Sequence, residues 1–251
     1  MIISEREHSF IMITQHDHAK ISGEIARYWR DEFFYGIDRK DEVILAIYEH
    51  DRGWIELDAA PLWNDQQEKP YSFMDYPMEP KVACYQKGIA EVEEMNKYAG
   101  LLCSLHYAAF FLHETASAGR QFLNEEIKRQ QNLLNVLAIK DKQTLHYHLN
   151  MLRFCDNLSL YICLNKPGVQ KENEHPFFRN GIPHSFPFAN HQPIHAQWIG
   201  QETVSLSAFP LKKELQVQLE FKEVKKEDIQ LNGILNAYTN APLSKRSVLF
   251  M

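Results

Sequence analysis

Apolar residues recur at helical spacing along most of the first two thirds of the chain. A helix advances about 100° per residue, so positions i, i+3, i+4 and i+7 share one face. Thr14-Gln15-His16-Asp17 matches a capping box in its Asp form, with Thr14 as N-cap, and predicts a helix over about 15–30. Asp38-Arg39-Lys40-Asp41 opens a second helix that runs through VILAIYEHD. Further helical patterns cover about 81–96, 99–116, 120–138 and 142–164. Phe10 to Ile13 reads as a short extended segment. Residues 56–80, rich in Pro, Asp and aromatics, read as a long ordered loop.

The pattern breaks at Asn165. Residues 165–197 carry Pro167, Pro176, Pro183, Pro187 and Pro193, an Asn-Gly pair at 180–181, and His175, His184, His191 and His195. A stretch of that length without a period reads as an arm or lid, and its histidines could cap a site or meet phosphate. Beyond it, TVSLSAF and LQVQLEFKEV alternate at period two, as strands do. The expected fold is mainly α. A helical domain spans 1–165, an irregular arm spans 166–197, and a small β-containing appendage spans 198–251.

Several polar residues point with the apolar stripes. Taking His18 as zero, Ile21 falls at about −60°, Ile25 at about −20° and Trp29 at about +20°, whereas His16 falls at about 160°. His18 is therefore the inward residue of the pair, and His16 a solvated first-turn residue. On the second helix Val43, Ala46, Ile47, His50 and Trp54 share a face, with Asp51 at its edge. On the last helix Leu145, His148, Leu149, Leu152, Ser159 and Cys163 form a stripe, and Asp156 lies close to its centre. A carboxylate there must be protonated, paired or bound to metal, because burying it charged and alone costs several kcal/mol. His106 shares a face with Leu102, Leu105 and Ala109, and His113 follows one heptad later. An inward histidine is usually a hydrogen-bonded core residue. Three helices each carrying an inward ligand type point instead to one shared centre.

Composition narrows the field. Of 251 residues 45% are hydrophobic and 24% charged, ordinary values that exclude disorder and coiled coil. Lys and Arg number 27 against 33 Asp and Glu, a net charge of −6, which argues against general nucleic-acid binding. The four cysteines form no CxxC pair and read as buried free thiols. With no signal-peptide pattern and no apolar run of membrane-span length, the expected location is cytoplasmic, away from membrane. No GxGxxG, Walker loop or GxSxG occurs, and Glu5-Arg6-Glu7-His8 is a lone ExxH.

The order His18, His50-Asp51, Asp156 resembles the signature of the HD-domain superfamily of metal-dependent phosphohydrolases. The contexts HAKISGEIA, AIYEHDRGW and FCDNLSLY carry the likeness. TQHDHAKISGEIARYW, HDRGW, GLLCSLHYAAFF and FPL are further similar to an uncharacterised bacterial family of domain-of-unknown-function type. The resemblance implies an HD-like helical bundle with His18, His50, Asp51 and Asp156 as metal ligands. It also implies Asp51 and His106 as catalytic residues and a divalent transition metal (Mn, Fe, Ni, Co or Zn). The implied substrate is a small phosphorylated molecule, a phosphate ester or nucleotide, with self-association into a homo-oligomer left open. Arg52, Glu56 and Asp58 only loosely replace the charged residue that often follows the pair in nucleotide hydrolases. Two alternatives stand: a non-catalytic sensor or binding module, and a di-iron oxygenase. The oxygenase would need a second ion held by His106 with His113 or His148. Gln15, Asp17 and Glu49 adjoin ligands and could orient them. Trp54, Trp63, Tyr71 and Phe73 read as core beneath a loop.

Overall fold

The computed structural model describes residues 1–184 and 186–251. In chain order they form β1 (Ile2–Glu5), β2 (Ser9–Ile13), α1 (Gln15–Arg27), α2 (Lys40–Glu49) and α3 (Ile55–Ala59). Then come β3 (Trp63–Asn64), β4 (Lys69–Pro70), α4 (Met78–Met95), α5 (Lys97–Ala108), α6 (Ser117–Val136) and α7 (Lys142–Leu164). The last part holds β5 (Ala196–Ile199), β6 (Thr203–Leu206), β7 (Leu215–Lys225), α8 (Lys226–Asn240) and β8 (Leu243–Phe250).

The expectation of a mainly α, all-helical bundle with a small β appendage is overturned. Six strands form one mixed sheet in the order β1-β2-β7-β8-β6-β5. Its strands come from both ends of the chain. β2 pairs antiparallel with β7, and β6 with β8 in parallel. β3 and β4 make a second, two-stranded sheet. The period-two rule missed much of this for physical reasons. All five residues of β2 are buried. Ile11 and Ile13 enter the main core, while Phe10 and Met12 enter a second cluster with Val224, Ile229 and Ala237 from β7 and α8. A strand covered on both faces shows no alternation. Half of β8 is polar, and it buries only Val248 and Phe250. α8 is interrupted by Gly233, whose φ of 75° breaks the helical period.

The helices lie close to where the pattern put them. Thr14 caps α1, accepting the Asp17 N–H at 3.1 Å. Asn96 and Asp141 cap α5 and α7 through their side chains. α1 packs on α2, on α7 and on β7, so the sheet forms one wall of the helical core. Between α7 and β5 the described residues form short 3-10 turns and an isolated bridge, and they are anchored. Phe178, Ile182, Phe186 and Ile194 are buried in the main core, and buried Glu174 accepts hydrogen bonds from Tyr161 and Lys171. Trp54 is buried, and Trp63, Tyr71 and Phe73 pack against the cores. All four cysteines are free and buried. No helix among the described residues is long and apolar enough to cross a membrane.

Candidate metal centre

Four elements converge on one point. α1 brings His18, α5 His106 and α7 Asp156, and the end of α2 brings His50 with Asp51. α2 stops at Glu49, one turn earlier than its apolar pattern suggests. His50 is its C-cap, and Asp51 opens a short 3-10 turn over Arg52–Trp54. That turn is wedged against α4. A Cβ on Gly53 would lie 2.3 Å from the Cys84 carbonyl oxygen, and one on Gly88 would lie 2.6 Å from the Gly53 nitrogen. Two glycines thus let the backbone after the His-Asp pair lie directly on α4, which fixes where Asp51 points.

His18 is completely buried, as the wheel arithmetic predicts. Its Nε2 lies 2.7 Å from Asp51 Oδ2 and 3.9 Å from Asp156 Oδ1. His50 Nε2 lies 3.6 Å from each of these two oxygens. His106 Nε2 lies 3.7 Å from Asp156 Oδ2. Two triads, His18-His50-Asp51 and His50-His106-Asp156, each keep their ligand atoms within 4.8 Å of one another. Around an ion with bonds of about 2.1 Å, neighbouring donors sit about 3.0–3.4 Å apart and opposite ones about 4.2 Å. The observed separations, 2.7–3.9 Å, lie close to that range. These buried clusters could hold a metal ion.

The ring orientations support the same conclusion. His18 Nδ1 lies 2.7 Å from the Ser159 hydroxyl, which also reaches the Asp156 carbonyl at 2.9 Å, and His18 Nε2 donates to the Asp51 carboxylate at 2.7 Å. His50 Nδ1 donates to the Ile47 carbonyl at 2.8 Å, satisfying a carbonyl left free at the helix end. Both rings therefore direct Nε2 at the carboxylates. His50 Nε2 is buried and has no hydrogen-bond partner. A buried nitrogen left unpaired between two carboxylates fits a missing electrophile. His50 is common to both triads and has one free nitrogen, which can bind one ion.

The electrostatics are tightly linked. Burial works against charge on Asp51, but His50, His18 and the Tyr107 hydroxyl hold its carboxyl well below the usual carboxylate range. Burial likewise opposes ionisation of Asp156, and His50, His106 and His18 outweigh it. For His50 burial acts downward, yet Asp51 and Asp156 raise it to about 9. Burial pushes His106 down to about 3, so its imidazole is neutral at pH 7. Asp51 Oδ1 accepts the Tyr107 hydroxyl, so one oxygen faces the histidines and the other is tethered.

The remaining candidates fall elsewhere. His148 bonds Tyr98 and the Tyr35 carbonyl, each at 2.6 Å, and His113 is exposed. His16 is half-buried rather than solvated, and burial lowers its pKa. Among the described residues Gln15, Asp17 and Glu49 make no hydrogen bond to the cluster. Asp17 bonds Thr14 and Lys20, Glu49 pairs with Arg52, and the Gln15 N–H donates to Asp58. Tyr107 is a support that periodicity did not single out, whereas Ser159 lay on the inward stripe of the last helix; only the fold shows which groups they hydrogen-bond.

Residues 1–226 match the model of a family described as a protein of unknown function, DUF3891. The chain belongs to this family. No curated protein and no solved structure matches it. The DUF3891 match covers every residue of the centre, from His18 to Asp156. It ends where α8 begins, so β8, which sits between β7 and β6 in the sheet, lies beyond it.

Proposed function

We propose that this DUF3891 chain is an HD-type metal-dependent phosphohydrolase, acting on a small phosphate ester or nucleotide with a single transition-metal ion. The observation that carries the reading is the buried His50 Nε2 without a hydrogen-bond partner, set 3.6 Å from two carboxylates, with His18 completing the donor set and His106 beside it. The order of His18, His50-Asp51 and Asp156 along the chain agrees with the resemblance to HD-domain hydrolases. Imidazole and carboxylate donors suit Mn, Fe, Ni, Co or Zn better than Ca. Two carboxylates balance the charge of a divalent ion.

When bound, such an ion lowers the pKa of a water and polarises a phosphoryl oxygen. The protein's own groups supply the rest. Ser159 can accept a proton from His18 Nδ1, and Ile47 fixes the tautomer of His50. Tyr107 holds the Asp51 carboxylate in one orientation. His106, neutral at pH 7, faces Asp156 and can hydrogen-bond the substrate or a water there. Asp156, with 11% of its side chain exposed, marks the side open to solvent. The shared His50 nitrogen favours one ion over the two that an oxygenase needs.

The test is turnover of a broad phosphate-ester panel with each of these metals added. The expected result is metal-dependent hydrolysis that Asp51→Ala abolishes while the far-ultraviolet circular dichroism stays helical. Metal-replete protein that hydrolyses nothing in the panel would move the reading to a non-catalytic binding module.

A further inference from the structure

Arg153 lies on α7, one turn before Asp156, and is half-buried. Its Nη2 donates to the Leu105 carbonyl at 3.4 Å, which sets the guanidinium against α5 beside His106. Arginine is rarely buried unless paired. Among the described residues no carboxylate lies within ion-pair distance of Arg153, unlike Arg39, which has one, and Arg52 and Arg129, which have two each. Asp156, whose oxygens are turned to the three histidines, is the one carboxylate whose field reaches it, and burial weakens its hold on the proton. His184 of the 166–197 segment is half-buried and stands in the field of both Arg153 and Asp156. Burial and Arg153 push its imidazole down to about 4, so at pH 7 it is no counter-ion but a neutral hydrogen-bonding group. Arg153 thus sits one turn from Asp156 and against the residue before His106, and among the described residues Nη2 makes its one side-chain hydrogen bond.

We propose that Arg153 is the anion-binding residue of this site, its guanidinium taking the non-bridging phosphoryl oxygens of the substrate next to Asp156. This rests on the phosphohydrolase reading for the identity of the anion. A guanidinium presents a planar fork that matches phosphate geometry, which an ammonium does not. The Leu105 carbonyl holds the fork in place without neutralising it. Among the described residues Arg153 makes no hydrogen bond or ion pair with His18, His50 or Asp51, so it should orient the anion without holding the metal.

The experiment uses the full chain loaded with one metal, and measures binding of inorganic phosphate by calorimetry for the wild type, Arg153→Ala and Arg153→Lys. Metal content and melting temperature are recorded for each. Loss of charged hydrogen bonds is expected to weaken phosphate binding by roughly 10- to 100-fold in Arg153→Ala, with metal content unchanged. Arg153→Lys should restore only part of it. With a hydrolysed ester as substrate, KM should rise more than kcat falls. Phosphate bound as tightly by Arg153→Ala as by the metal-loaded wild type, or not bound by the wild type at all, overturns the proposal. The two readings fail separately. Turnover that ignores Arg153 sinks this one alone, whereas Arg153-dependent phosphate binding with no ester turned over sinks the hydrolase and leaves the anion site standing.

Discussion

Ser159 offers a test of how the ligand rings are aimed. It touches no solvent, and its hydroxyl lies 2.7 Å from His18 Nδ1, 2.9 Å from the Asp156 carbonyl and 2.8 Å from Ser22 Oγ. Ser159→Ala leaves His18 Nδ1 buried without a hydrogen-bond partner, at a cost of about 1–3 kcal/mol. In a chain of this size that should lower the melting temperature by about 2–12 °C. The effect on the ion is separate. An ion needs the Nε2 lone pair, so on binding the His18 proton must sit on Nδ1, where Ser159 accepts it; without Ser159 the proton stays on Nε2, donating to Asp51. Loss of an orienting partner of this kind lowers metal affinity about 10- to 100-fold. Ser22→Ala is the control, because Ser22 bonds only Ser159 and the His18 carbonyl. It should cost about 1 kcal/mol and leave affinity within a few-fold. The assay is metal titration against a chelating dye, with thermal melts of both variants. Ser159→Ala binding metal as tightly as the wild type would refute the tautomer assignment.

Other outcomes follow from the same geometry. Gly53→Ala drives a methyl into the Cys84 carbonyl and should destabilise the fold by about 1–3 kcal/mol, read by urea unfolding, and weaken metal binding by shifting Asp51. Metal affinity should rise with pH, by about tenfold per unit at neutral pH and flattening above about pH 9, because the ion displaces the proton on His50. For chelated protein the sign is opposite. A proton held more tightly by the folded His50 stabilises fully below about pH 6.5, and that contribution is lost as pH climbs through about 9. His106→Ala should keep close to full metal content but lose most turnover, measured by metal analysis beside an ester assay.

The centre was more legible than the fold that carries it. A period of 3.6 residues suffices to show that His18, His50 and Asp156 point inward, since His18 and Asp156 sit among apolar residues on α1 and α7 and His50 follows Val43, Ala46 and Ile47 at the end of α2. Asp51 was legible only beside His50, because it sits in a turn and has no helical face. The sheet was hidden by its own burial. β2 has no polar face, β8 exposes Leu243 and Lys245 and half-buries Arg246, and β1 and β5 are four residues each. Their pairing joins the two ends of the chain, a contact no local pattern carries. Arg153 and Tyr107 escaped notice for a related reason. Their meaning depends on which group lies opposite, and helix periodicity gives direction without distance.

The central claim is that one transition-metal ion is held by His18, His50, Asp51 and Asp156. Metal analysis of protein purified from cells and then reloaded tests it most directly, with His18→Ala, His16→Ala, His50→Ala and Asp156→Ala alongside. The account predicts about one equivalent per chain, kept by His16→Ala and lost by the other three while their helical circular dichroism persists. An ion retained by His18→Ala and Asp156→Ala alike, or two equivalents that His106→Ala abolishes, would contradict it.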